Sequence, residues 1–260
     1  MHAILPVMKI RGVLLDLSGV LYMADQVIPG SPEALARLRA AGLPLRFLSN
    51  MTRYPAEHVR RHLAELGYEI AAAELFTPPR AVRGWLEAEN RRCSLLVHPR
   101  LEPEFSGLVA DEADVLVVGD AAETFTYARL NAAFRRLMQG AELVAMGDNR
   151  YFREPEGLSL DIGPFVHALE YASGQTARVL GKPAADFFHL AVADMGLEPG
   201  EVLMVGDDVE SDVLGAVRAG LQGTLVRTGK YRPSDEDRLA GTDAWVADDL
   251  AAVVDRLLQK

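Results

Sequence analysis

Two short apolar runs, each ending in an aspartate, limit the folds open to this chain more than anything else in it. Residues 10–15 lead into Asp16, and residues 201–205 lead through Gly206 into Asp207. An unbroken run of β-favouring apolar residues is the signature of a strand buried on both faces, and such strands belong to parallel sheets covered by helices. Helical patterns lie between the runs. Ser31 and Pro32 read as an N-cap followed by proline at the first helical position, Leu35 and Leu38 share a face, and Gly42 ends the helix. Residues 43–48 form a second strand. From about residue 55 a helix carries Val59, Leu63 and Leu66 at helical spacing, with Gly67 at its end.

The second half repeats this grammar. Strands are expected at 176–180, 201–205, 223–226 and 244–246, with helices through Phe187, Phe188, Leu190 and Ala191 and through Val213, Ala216 and Val217. Alternating strands and helices predict an α/β fold with a Rossmann-like, doubly wound parallel sheet. At 260 residues the chain exceeds one average domain. The stretch 78–174, entered near Thr77, has its own strands (94–97, 115–118, 143–146) and helices (127–138, 164–172). It is expected to be an inserted α/β cap domain, leaving 1–77 plus 175–260 as the core.

Composition excludes several classes. A net charge of −10 disfavours nucleic acid as a partner but not a phosphorylated one, since a metal and a few local cations dominate a single pocket. Cys93 is the only cysteine, so no intrachain disulfide or cysteine-cluster zinc site forms, and a reducing, cytoplasmic location is the expectation. No signal peptide is read in residues 1–10, and no apolar run is long enough to span a membrane. His98 has no second histidine or cysteine at metal spacing, and Trp85 and Trp245 are read as packing residues.

Four segments carry polar groups at predicted strand ends, the edge at which open parallel sheets bind ligands. In residues 16–22 (DLSGVLY), Asp16 is placed as a carboxylate nucleophile, with Gly19 allowing a tight, anion-facing turn; a turn-capping aspartate is the alternative. In 46–50 (RFLSN), the Ser49 hydroxyl and Asn50 amide are able to donate to phosphate oxygens, or else form an N-capped loop. In 181–183 (GKP), Lys182 either neutralises phosphate charge or is a solvated surface lysine. In 202–212 (VLMVGDDVESD), Asp207, Asp208 and Asp212 offer oxygen-only ligands that suit magnesium, and an acid-rich helix N-terminus accounts for one of them.

Taken in order as nucleophile, hydroxyl, lysine and acidic cluster, these segments resemble the four motifs of the haloacid dehalogenase superfamily, at Asp16, Ser49, Lys182 and Asp207. The insertion resembles the class with a large α/β cap. Residues 150–172 and 227–237 resemble one branch, the phosphatases of phospholysine, phosphohistidine and inorganic pyrophosphate. The resemblance implies a magnesium-dependent phosphohydrolase working through an aspartyl-phosphate. It makes Asp16 nucleophile and metal ligand, with the Ser18 carbonyl and Asp207 completing the protein's share of Mg2+. Asp212 acts outside the first ligands or through water, with a less defined role for Asp208. Ser49, Asn50, Lys182 and the amides near Leu17, Ser18 and Gly19 hold the phosphoryl group. Specificity is expected from Asn149 to Phe152 and from Asp161 to Pro164, with Arg150, Tyr151 and Asp161 reading the leaving group; alternatively Tyr151 and Phe152 pack the cap and Arg150 forms a surface pair.

Ser18 departs from the superfamily, most of whose phosphatases have a second aspartate there as acid and base. A hydroxyl is a poor proton donor, and positioned acid–base help is worth about 10²–10⁴-fold in rate. The substrates expected are therefore small phosphorylated molecules or phosphoproteins with good leaving groups: P–N bonds, pyrophosphate or aryl phosphates. A general metabolite monoester phosphatase and a low-activity binding or regulatory homologue are the alternatives. A metal-independent dehalogenase would not need the acidic cluster, and a mutase would rely on the missing acid. An apolar cap surface is expected to support a homodimer.

Overall fold

In the computed structural model, residues 10–154 and 157–259 are described. A six-stranded sheet runs in the order Trp245–Ala247, Gln222–Val226, Val202–Gly206, Gly12–Asp16, Leu45–Leu48, Leu75–Phe76. The four pairs from Trp245–Ala247 to Leu45–Leu48 are parallel. In chain order this is the doubly wound 3-2-1-4-5-6 arrangement, and the order reverses between Gly12–Asp16 and Val202–Gly206. Every residue of those two strands is buried, as their unbroken apolar sequences require. Register pairs Leu15 with Val205 and Asp16 with Leu48, so Asp16 and Asp207 both emerge at the carboxyl edge, at the switch point where such sheets bind ligands.

The chain divides into two compact units. One comprises Met1–Ser49, Leu63–Leu75 and Phe188–Lys260; the other comprises Asn50–His62 and Phe76–Phe187. The second unit has a parallel sheet of its own, in the order Arg178–Val179, Glu142–Ala145, Val115–Val118, Cys93–Leu96. Its helices are Pro78–Ala88, Tyr127–Met138 and Gly163–Ser173. It also contains an antiparallel hairpin of Tyr151–Glu154 and Gly157–Leu160. Phe125 and Phe165 stack in it with ring centroids 3.7 Å apart. Among the described residues, no helix is long and apolar enough to cross a membrane.

Two local expectations are corrected. The strand expected at 176–180 is real but shorter, Arg178–Val179, and it pairs with Glu142–Ala145 in the second sheet instead of joining the doubly wound one. A buried strand's sequence records that it is buried, not which sheet supplies its partner. Ser31 is not an N-cap either. Gly30 takes that position, and the Ser31 hydroxyl is buried against the Leu21 carbonyl at 3.0 Å, the Ile28 carbonyl at 2.6 Å and the Tyr68 hydroxyl at 2.6 Å. A buried hydroxyl with these partners stabilises the packing of the helix, not its terminus.

Candidate active site

Asp16, Asp207 and Asp212 form one buried cluster, each offering a carboxylate oxygen within 4.8 Å of the others. They are 8%, 2% and 1% exposed. Asp16 ends the first strand and Asp207 follows the strand Val202–Gly206. Asp212 lies in the π-helical turn Val209–Leu214 that comes next. Its Oδ2 accepts the Asp208 N–H at 3.2 Å, while Asp207 Oδ2 accepts the Lys230 N–H at 2.7 Å. Three carboxylates in one dry space repel one another, and their hard oxygen donors are of the type that could hold a divalent cation.

Asp208 does a different job from its neighbour. Its Oδ1 accepts the N–H groups of Glu210 and Ser211 at 3.1 and 2.9 Å, capping the helical turn, and its Oδ2 pairs with Lys230 Nζ at 3.2 Å. Burial pushes its carboxyl upward, but the Ser211 N–H and the Lys230 ammonium outweigh burial and hold it below the usual range. Burial likewise works against the Lys230 ammonium, yet the charges of Asp208, Asp207 and Asp212 hold its pKa above the ordinary value. The Tyr22 phenol is raised first by burial and then by the charges of Asp16 and Asp25.

The loop after Asp16 departs from expectation at Gly19. Its N–H is donated to the Tyr22 carbonyl at 2.7 Å, closing the turn, and so is occupied within the loop. Ser18 is exposed and bridges to Tyr22; Leu17 is buried. Ser49, at the end of the first unit's run, is half-buried.

Lys182 is buried in the second unit, 4% exposed. The Asn50 side chain grips its backbone from both sides: Nδ2 donates to the Lys182 carbonyl at 3.0 Å, and Oδ1 accepts the Lys182 N–H at 3.0 Å. The amide expected to face phosphate is thus largely engaged in holding the lysine's main chain.

A cavity of about 290 Å³ in the same unit is lined by residues 50–54 and by Asp120, Phe152 and Asp161. Arg53 Nε donates to Asp120 Oδ2 at 2.8 Å, and the Arg53 guanidinium lies over the Phe152 ring at 5.1 Å. Asp161 Oδ1 accepts the Ile162 N–H at 2.7 Å. Burial, with the Asp120 charge adding to it, raises the Asp161 carboxyl above the ordinary range. Of the cap residues singled out in the sequence, Phe152 and Asp161 line this cavity; Arg150 and Tyr151 are exposed and do not. Arg53 and Asp120 escaped the sequence reading. A signal existed, for residues 115–120 (VLVVGD) repeat the strand-then-aspartate pattern of 202–207 (VLMVGD).

A model of haloacid dehalogenase-like hydrolases matches residues 13–122, and a HAD-hydrolase-like model matches 179–253. The phospholysine phosphohistidine inorganic pyrophosphate phosphatase of Danio rerio is 45% identical over 257 residues, covering 96% of this chain and 95% of that protein. The chain belongs to the haloacid dehalogenase-like hydrolases. Within that hydrolase family it groups with named phosphatases, as the resemblance read from the motifs implied. The human haloacid dehalogenase-like hydrolase domain-containing protein 2 is 42% identical, covering 96% of each chain. Among solved structures, the 4-nitrophenylphosphatase of Thermotoga maritima superposes with a TM-score of 0.86 at 27% identity, over 96% of this chain and 98% of that one. NagD from E. coli K-12 shares the fold, with a TM-score of 0.85 at 23% identity over 94% and 98% of the two chains.

Proposed function

We propose that this hydrolase is a magnesium-dependent phosphatase in which Asp16 takes up the phosphoryl group. The observation that carries the reading is the buried trio of Asp16, Asp207 and Asp212 at the switch point of the sheet. Its all-oxygen donor set fits Mg2+, with Asp16, Asp207 and Asp212 as the side chains that would hold it and the Ser18 carbonyl as a further donor. When bound, the ion neutralises charge on the carboxylates and on the phosphoryl oxygens.

A carboxylate oxygen of Asp16 attacks phosphorus, the bond from phosphorus to the leaving group breaks, and its electron pair departs with that group. Water then cleaves the aspartyl-phosphate, releasing orthophosphate and restoring Asp16. Lys182 is assigned to phosphoryl charge, with Ser49 and the Leu17 and Ser18 amides as phosphate donors. The assignments of Ser49 and Lys182 follow the family motif. Ser18 is no acid, so the leaving group departs without strong proton help. This favours P–N bonds, pyrophosphate and aryl phosphates over alkyl phosphates, on a small molecule or a phosphoprotein side chain. The named activity of the Danio rerio relative fits that class of substrate.

The test is hydrolysis of p-nitrophenyl phosphate by wild type and Asp16→Asn, with magnesium and with EDTA. Turnover should require magnesium and vanish in the variant. Activity that survives either the substitution or the chelator overturns the reading.

A further inference from the structure

We propose that Thr228, Gly229 and Lys230 form a positioning loop for Asp207, which clamps one oxygen of that carboxylate so that the acidic cluster is preset for its cation. The proposal rests on the magnesium reading above and concerns residues to which the motifs assign no role.

Asp207 Oδ2 is enclosed by backbone. The Lys230 N–H donates to it at 2.7 Å. Gly229, at φ +59°, lies against it so closely that an added Cβ would fall 1.9 Å from Oδ2 and 2.7 Å from the Cα of Gly19. On the other side Gly19, at φ +89°, would place a Cβ 2.0 Å from the same oxygen. Two glycines some two hundred residues apart in sequence thus face one carboxylate oxygen, where no other residue fits and where the backbone itself favours glycine. The two loops are latched together by the Thr228 hydroxyl, which donates to the Gly19 carbonyl.

Physically, this removes the rotation of the Asp207 carboxylate. With Oδ2 bound to a main-chain donor and walled by two loops, the plane of the group is set before any ligand arrives. Partners that orient a ligand to metal in this way are typically worth about 10–100-fold in affinity or activity. A backbone donor does this without adding a charge, and it does not depend on the Lys230 side chain, which is paired with Asp208.

The test is a magnesium titration followed by calorimetry and by melting temperature, neither of which needs turnover. Gly229→Ala should weaken Mg2+ binding by about 10–100-fold. Thr228→Val should weaken it several-fold, and Thr228→Ser, which keeps the hydroxyl, should bind as wild type. Gly241→Ala is the control, because Gly241 has a comparable φ of +82° but open space around its Cβ. It should lose stability and leave the affinity alone. Wild-type affinity in Gly229→Ala, with a stability loss no larger than that of Gly241→Ala, would overturn the proposal. If Gly229→Ala fails to fold, the Thr228→Val and Thr228→Ser pair decides, and equal affinity in both refutes the latch. A wild type that binds no magnesium overturns the cation reading together with the loop's role; normal wild-type binding with unaffected variants overturns the loop alone.

Discussion

Asp212→Asn should stabilise the metal-free protein and cost it most of its response to magnesium. Each pair in the cluster has carboxylate oxygens within 4.8 Å. At an effective dielectric constant of about 20, two charges at that separation repel by about 3.5 kcal/mol. Neutralising Asp212 lifts two of the three pairs, at least about 7 kcal/mol on the same arithmetic, since 4.8 Å is the longest separation. Water penetration, relaxation and proton uptake reduce such sums severalfold, leaving roughly 2 kcal/mol. An asparagine oxygen at position 212 still accepts the Asp208 N–H. For a chain of this size, 2 kcal/mol is a rise in melting temperature of about 4–8 °C. The assay is thermal melting at neutral pH and low ionic strength, first in EDTA and then in magnesium. At a hundredfold excess over its dissociation constant, magnesium adds about 2.7 kcal/mol to wild type, and it should add far less to the variant. A variant melting at or below wild type in EDTA refutes the repulsion argument. An equal magnesium response in both proteins refutes a place for Asp212 in the cation site.

Three further outcomes are expected. Ser18→Asp should raise kcat/KM on alkyl phosphates about 10–100-fold, within the range for an added proton donor, and change p-nitrophenyl phosphate hydrolysis little; no gain on alkyl substrates removes the leaving-group argument. Thr224 is fully buried, and among the described residues its hydroxyl has no hydrogen-bond partner. Thr224→Val should therefore keep or raise stability by about 1 kcal/mol in chemical denaturation, whereas a clear loss would reveal an unrecognised partner for the hydroxyl. Burial pushes the Cys93 thiol up to about 11, so a disulfide reagent at pH 8 should label the native protein far more slowly than the unfolded one, with the rate climbing as pH rises toward that value.

The parts of the site legible in the sequence were those written locally. Asp16 and Asp207 stand at the ends of runs whose apolar character is itself the signature of central parallel strands, and Asp212 follows five residues after Asp207. The helix Tyr127–Met138 was legible for the same reason, with its bounds as expected. What was not legible depends on partners distant in the chain. Arg53 and Asp120 are 67 residues apart and gain meaning only as an ion pair. Arg178–Val179 looks like a core strand until its neighbour is known. The clamp on Asp207 comes from residues 228–230, in a segment whose sequence resembles the family branch but does not say which carboxylate its backbone reaches.

Asn50 holds residue 182 by its N–H and its carbonyl, groups that every amino acid except proline supplies. The clasp is therefore blind to the side chain it positions. Replacement of Lys182 by methionine deletes the ammonium without cutting either bond, which makes that position a clean place to separate charge from scaffold. The same cannot be said of Asn50, whose loss would release the main chain and disturb both at once.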